Sequence, residues 1–215
     1  MGVSLFVGLL GALVGGIFAL YGAIVSGNIN RLNQNLTGVD RKINVLKGIK
    51  CEIDTVWGIY NQGMGSKLTE HNGTDFFNYT FSATQDNFSF YHNSVADITA
   101  LDKTTCKSII EAYSYAKSLL DTFKLHADML SSFEEYVKKK TEYKDRRYDI
   151  FITDIRSKLC EYSQSLKAAH EQTKLAIDST LQEIDKSVDR LTQQRESLDK
   201  SGWRRLFALL CLKNS

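Results

Sequence analysis

The chain opens on an apolar run. From Val3 to Val25 only Ser4 and Tyr21 are polar, and no charged side chain precedes Arg31. A bilayer core takes about 20 helical residues, so this pattern predicts a single N-terminal membrane-spanning helix. Arg31, Arg41, Lys42, Lys47 and Lys50 follow the run, opposed by Asp40 alone. The positive-inside rule then puts the N-terminus outside and the bulk of the chain in the cytoplasm, at a bacterial inner membrane. A cleaved signal peptide is the competing reading, but the basic n-region it needs is missing. Four glycosylation sequons (Asn35, Asn72, Asn78, Asn87) point to the opposite orientation, although an Asn-rich chain produces such triplets by chance.

Small residues within the run recur every four positions. Gly11, Gly15, Ala19 and Ala23 form one row, with Gly8, Ala12 and Gly16 beside it. That spacing gathers each row on one helix face, where two backbones can approach closely, and it predicts a self-association seam. The plainer alternative is that glycine is common in membrane helices.

Beyond the run, three stretches carry heptad patterning. In the first, Ile29, Leu32, Leu36, Val39, Ile43, Leu46, Ile53, Trp57 and Tyr60 advance in steps of three and four, interrupted at Lys50 and ending near Gly63 and Gly65. The second begins at Asp102 to Thr105, where a side chain can cap a helix, and carries Ile109, Tyr113, Ala116, Leu120, Phe123, Ala127, Leu130 and Val137. The third runs through Ile152, Ile155, Leu159, Tyr162, Leu166 and Ala169, slips by one residue near Thr173, and resumes as Ile177, Leu181, Ile184, Val188, Leu191 and Leu198. The first two have similar lengths and are expected to pair as an antiparallel hairpin. A basic turn (Lys138, Lys139, Lys140, Arg146, Arg147) would then lie near lipid headgroups, or would be an ordinary solvated turn.

Between the first two stretches, Phe76, Phe77, Tyr79, Phe81, Phe88, Phe90 and Tyr91 crowd a short insert. Their alternation predicts two short strands with Ala83 to Asp86 as the turn. The rings are expected either to plug the core or to line a ligand or partner pocket. After Gly202 the chain changes character. Trp203, Arg204 and Arg205 precede a short apolar run containing Phe207, which suits a lipid or partner contact or packing back on the bundle.

Composition narrows the function classes. The chain has no proline, and all its glycines but Gly202 lie at or before Gly73, so nothing from Thr74 to Ser201 forces a helix to stop. A net charge of +2 gives no general pull toward nucleic acid. Cys51, Cys106, Cys160 and Cys211 have no metal-ligand spacing, and they read as free thiols unless Cys51 and Cys106 pair in an oxidising compartment. His71, His92, His126 and His170 form no metal motif, and no phosphate-cradling loop or nucleophile elbow occurs. No catalytic residue, cofactor or metal is expected.

The sequence therefore reads as all-α, with a single transmembrane helix followed by a long-helix antiparallel bundle or coiled coil that carries a small β-hairpin insert. The expected divisions are an anchor (1–27), a juxtamembrane helix (28–61), the insert (62–103), a helical hairpin (104–201) and a tail (202–215). The expected function is a non-enzymatic, membrane-anchored scaffold. Its expected partners are lipid, further copies of itself as a homo-oligomer, and a protein reached through the insert or tail. The alternative is a pore-type effector whose glycine-rich span oligomerises under control of the bundle. This layout resembles that of small single-span effectors of phage defence, a likeness of arrangement with no shared motif.

Overall fold

The computed structural model describes the backbone of residues 2–81 and 85–211, and the side chains of these except 2–12, 14, 85–86 and 205–211. Three long helices dominate: α1 (Gly2–Tyr60), α5 (Lys103–Tyr143) and α6 (Arg147–Cys211). A π-helical turn (Asn61–Gly65) closes α1 and leads into α2 (Ser66–Glu70). The rest of the insert holds a 3-10 turn (Gln85–Phe88), α3 (Ser89–Asn93) and α4 (Val95–Thr99).

The helix boundaries follow local chemistry. Asp102 is extended, and its carboxylate accepts from the Thr105 backbone N–H at 3.2 Å, capping α5 where the sequence suggests. At the other end, Lys144 takes a left-handed conformation (φ 51°) and donates its N–H to the Lys140 carbonyl. A lysine there carries a strain of about 1–2 kcal/mol that glycine would avoid. Asp145 then accepts from the Arg147 backbone N–H at 2.9 Å, starting α6. The chain thus reverses tightly without glycine or proline.

The molecule divides into two units, residues 45–187 and residues 1–44 with 188–215. In the first, α5 and α6 are antiparallel: Thr105 meets Ser187, Ser108 meets Thr180, and Thr173 reaches the Tyr115 carbonyl. α1 runs parallel to α5, because Glu52 meets Tyr113 and, farther along both helices, Tyr60 meets Phe123. The expected antiparallel pairing of the first two stretches is therefore wrong. The insert itself returns the chain along the bundle, from Phe77 beside Ser163 to Phe90 beside Gly48, so α5 starts from the same end as the unit's part of α1.

The seam of α6 in this unit is an unbroken heptad of buried residues: Leu159, Ser163, Leu166, His170, Thr173, Ile177, Thr180, Ile184 and Ser187. The one-residue slip expected near Thr173 does not exist. It arises from following only apolar residues, whereas the core positions alternate with hydroxyls and a histidine. Each hydroxyl is satisfied. Thr105 Oγ1 lies 2.6 Å from Ser187 Oγ, Ser108 Oγ lies 2.8 Å from Thr180 Oγ1, and Thr173 donates to the Ala169 carbonyl at 2.7 Å. Such bonds contribute only about 1 kcal/mol each, but slipping the register would break the two of these that cross from α5 to α6, Thr105 with Ser187 and Ser108 with Thr180. Lys50, which interrupts the α1 pattern, is held by Asp185 of α6, and that hydrogen bond raises its pKa.

The expected β-hairpin is absent: the described residues contain no strand, and positions 83 and 84 of its turn lie outside them. Instead of pairing across strands, the Phe77 N–H donates to Ser163 Oγ at 2.8 Å, and the Phe90 and Tyr91 N–H groups donate to Glu52. Phe77 joins Tyr60, Met64, Leu68, Leu119, Phe123 and Leu166 in the main core cluster. Phe88 is buried elsewhere in the unit, edge-on to Tyr113.

In the other unit, Asp40 accepts from Arg195 Nε at 2.6 Å, and α6 approaches α1 so closely at Gly202 that an added Cβ would lie 2.4 Å from Leu32. Val188, Leu191 and Leu198 are half-buried. Among the described residues no helix is long and apolar enough to cross a membrane. This overturns the expected single-pass localisation. Gly8, Gly11 and Ala12 of the small-residue rows lie outside the described side chains, whereas Gly15, Gly16, Ala19 and Ala23 are exposed on α1.

Candidate functional site

In the 45–187 unit an apolar cavity of about 310 Å³ lies where α1, the insert, α5 and α6 meet. Ile53, Val56 and Trp57 of α1 form one wall, with Phe81 and Phe88 of the insert beside them. Ala112, Ala116, Leu119 and Leu120 of α5 and Ile177 of α6 face them. The two alanines make the space, because they stand at core positions where the neighbouring turns carry Tyr113, Leu119 and Phe123.

Glu52 organises one end. Its two oxygens accept from the Phe90 N–H at 2.6 Å, the Tyr91 N–H at 3.0 Å and the Tyr113 hydroxyl at 2.6 Å. A carboxylate beside the first amides of a short helix satisfies donors that have no intrahelical acceptor. Tyr91 stacks on Tyr113 with ring centroids 4.0 Å apart. Burial, and then the bond to Glu52, pushes the Tyr113 pKa far up, so this hydroxyl stays a donor. Gly48 leaves room for the Phe90 ring, whose atoms would lie 2.1 Å from an added Cβ.

At the other end the Tyr60 hydroxyl lies 2.9 Å from His170 Nδ1, and Trp57 stacks on the same imidazole. Burial raises the Tyr60 pKa and lowers that of His170, so a phenol donating to a neutral imidazole is the stable arrangement. Tyr60 is also held as a core residue.

His126 is fully buried between Phe77 and Tyr162, and neither of its ring nitrogens has a hydrogen-bond partner. Burial lowers its pKa, opposed by the Phe77 backbone, which stands outside hydrogen-bond geometry. Depressed histidines make stability depend on pH with a definite sign. As pH falls below about 6.5, the unfolded chain takes up protons that folded His126 and His170 refuse. Their contribution is complete above that pH and is lost on acidification toward the folded pKa values. We expect the melting temperature to fall steadily from pH 7 to pH 5, and His126→Phe to flatten that slope. A pH-independent melting temperature would contradict this reading.

The residues singled out in the sequence fall elsewhere. The basic turn is largely neutralised locally: Lys138 pairs with Glu142, Lys139 with Glu135, Lys140 with Asp149 and Arg147 with Asp145. Arg146 is exposed. Trp203 and Arg204 lie on α6, which continues through Gly202 without a break, and the side chains of Arg205 and Phe207 lie outside the described residues. Of the predicted seam, Ile177 and Ile184 are buried and Leu181 is half-buried. Cys51, Cys106 and Cys160 are free thiols. No group of metal-ligating side chains occurs among the described residues. Sequence reasoning named the aromatic insert as a pocket candidate, but it passed over Glu52 and Ala112 and read Ala116 only as part of the apolar face of α5. The available signals were a lone carboxylate on the apolar side of α1 and alanine at successive core steps of α5. No protein family, no curated protein and no solved structure matches this chain.

Proposed function

We propose that the chain is a non-enzymatic helical scaffold that self-associates through the apolar face of α1 in the unit formed by residues 1–44 and 188–215. The observation that carries this reading is a stripe of large apolar side chains at heptad steps. Leu13, Ile17, Leu20 and Ile24 are 58%, 60%, 68% and 50% exposed. Burying one such side chain contributes about 1.5–3 kcal/mol, and a contiguous stripe of this kind marks an interaction surface. Gly16 and Ala23 flank the stripe at helical spacing, and a Cβ added at Gly16 would meet nothing within 4 Å. A second helix can therefore approach the backbone there. The pore-type alternative depends on a membrane span and gains no support from the described residues.

Co-expression of two differently tagged full-length copies tests the proposal. One tag should co-capture the other, and Ile17→Lys with Leu20→Lys should lower the yield at least tenfold. Leu175→Lys, at an equally exposed position of α6, should leave it unchanged. Equal capture with the stripe variant would overturn the reading.

A further inference from the structure

We infer that the cavity between α1, the insert, α5 and α6 is a binding site for a small, uncharged, predominantly apolar molecule, one the size of a fused bicyclic or short branched hydrocarbon skeleton. Volume sets the size. Apolar cavities of roughly 150 Å³ take up benzene, and this one is about 310 Å³, at the lower end of small-molecule pockets.

The chemical class follows from how the polar lining groups are already committed. Among the described residues the one carboxylate on the wall, Glu52, accepts three hydrogen bonds from the protein itself. The Tyr60 hydroxyl is engaged by His170. Thr55 Oγ1 donates to the Cys51 carbonyl at 2.7 Å, and Thr173 Oγ1 donates to the Ala169 carbonyl. Among the described residues no lysine, arginine or histidine lines the space, so an anionic ligand would meet the Glu52 charge without a compensating cation there. Asn87, at the exposed margin, is the one lining amide among the described residues and suits a single polar end on the ligand. Water needs two to four polar partners to be held well, and most of this wall is aliphatic or aromatic carbon. These facts together select against ions and strongly polar metabolites and in favour of apolar shape.

The site has a structural consequence. Phe81, Asn87 and Phe88 belong to the insert, while the other walls are long helices, so a ligand would tie the insert to the bundle. This inference is independent of the proposed self-association, which concerns the other unit.

The test is a titration of the full chain with N-phenyl-1-naphthylamine, an uncharged fluorophore of suitable size. Saturable enhancement with one site per chain is expected. Ala116→Trp and Val56→Phe, each filling the cavity from a half-buried position, should weaken binding at least tenfold. The stripe variant Ile17→Lys/Leu20→Lys should bind as the wild type does, which separates this site from the exposed face of α1. Each variant is first checked for its helical signal and cooperative melting; if Ala116→Trp does not fold, Val56→Phe carries the comparison. Non-saturable enhancement, or wild-type affinity in a folded cavity variant, would overturn the proposal.

Discussion

Phe123→Ala will lower the unfolding free energy by about 3–5 kcal/mol, the usual loss for truncating a buried phenylalanine. The ring is 1% exposed and sits at the centre of the main core cluster. It lies edge-on to Tyr60 and Phe81, with centroids 6.0 and 5.4 Å away, so truncation removes apolar burial and two aromatic contacts together. Because Tyr60 and Leu119 in the same cluster also line the cavity, the variant will bind an apolar probe less tightly as well. Urea unfolding followed by the far-ultraviolet helical signal measures the loss. Phe123→Leu should recover most of it. A loss below about 1 kcal/mol would mean that Phe123 is not a core residue.

Glu52→Ala will cost about 2–4 kcal/mol, although the residue is only half-buried. The loss arises because three donors, the Phe90 and Tyr91 amides and the Tyr113 hydroxyl, lose their shared acceptor at once. Bonds to a charged acceptor are stronger than neutral ones, and the stranded donors bear the desolvation penalty. Glu52→Gln keeps one carbonyl oxygen but turns an amide group toward donors, so it should fall between alanine and wild type. Tyr113→Phe, which deletes one donor and leaves no group stranded, should cost about 1 kcal/mol. Hydrogen exchange separates this account from general loosening. The Phe90 and Tyr91 amides should exchange much faster in Glu52→Ala, while amides near Leu166 keep their relative protection. Uniform acceleration would contradict it.

How much of this was legible in the sequence differs from element to element, for physical reasons. The long helices were readable because no proline occurs and glycine is scarce after Gly73, and the α5 cap was readable at Asp102. Their pairing was misread because the length of a helix says nothing about its direction. An insert long enough to travel back along the bundle makes α1 and α5 parallel. The α6 seam looked broken because Ser163, His170, Thr173, Thr180 and Ser187 do not register as core residues until their partners on the facing helix or turn are known. Lys50 interrupted the α1 pattern for the same reason, its charge being met by Asp185 far along the chain.

The insert shows the limit of a period-two pattern. Alternating aromatics such as Phe77, Tyr79 and Phe81 fit a strand, yet an acceptor on a neighbouring helix can claim the same backbone amides. Ser163 and Glu52 do so. The cavity was the least legible feature, since it is defined by what Ala112 and Ala116 leave empty. The apolar N-terminal run was plain in the sequence, but the membrane placement drawn from it does not stand against the described helices.

Self-association along α1 is most directly tested by a cysteine scan. With Cys51, Cys106, Cys160 and Cys211 replaced by serine, single cysteines are placed at each position from 13 to 24 and oxidised in cells. The account predicts covalent dimers in yields that rise and fall with the helical period, highest at positions 13, 17, 20 and 24 and lowest at 15 and 22, on the opposite side of the helix. A flat profile, or no dimer at any position, would contradict it.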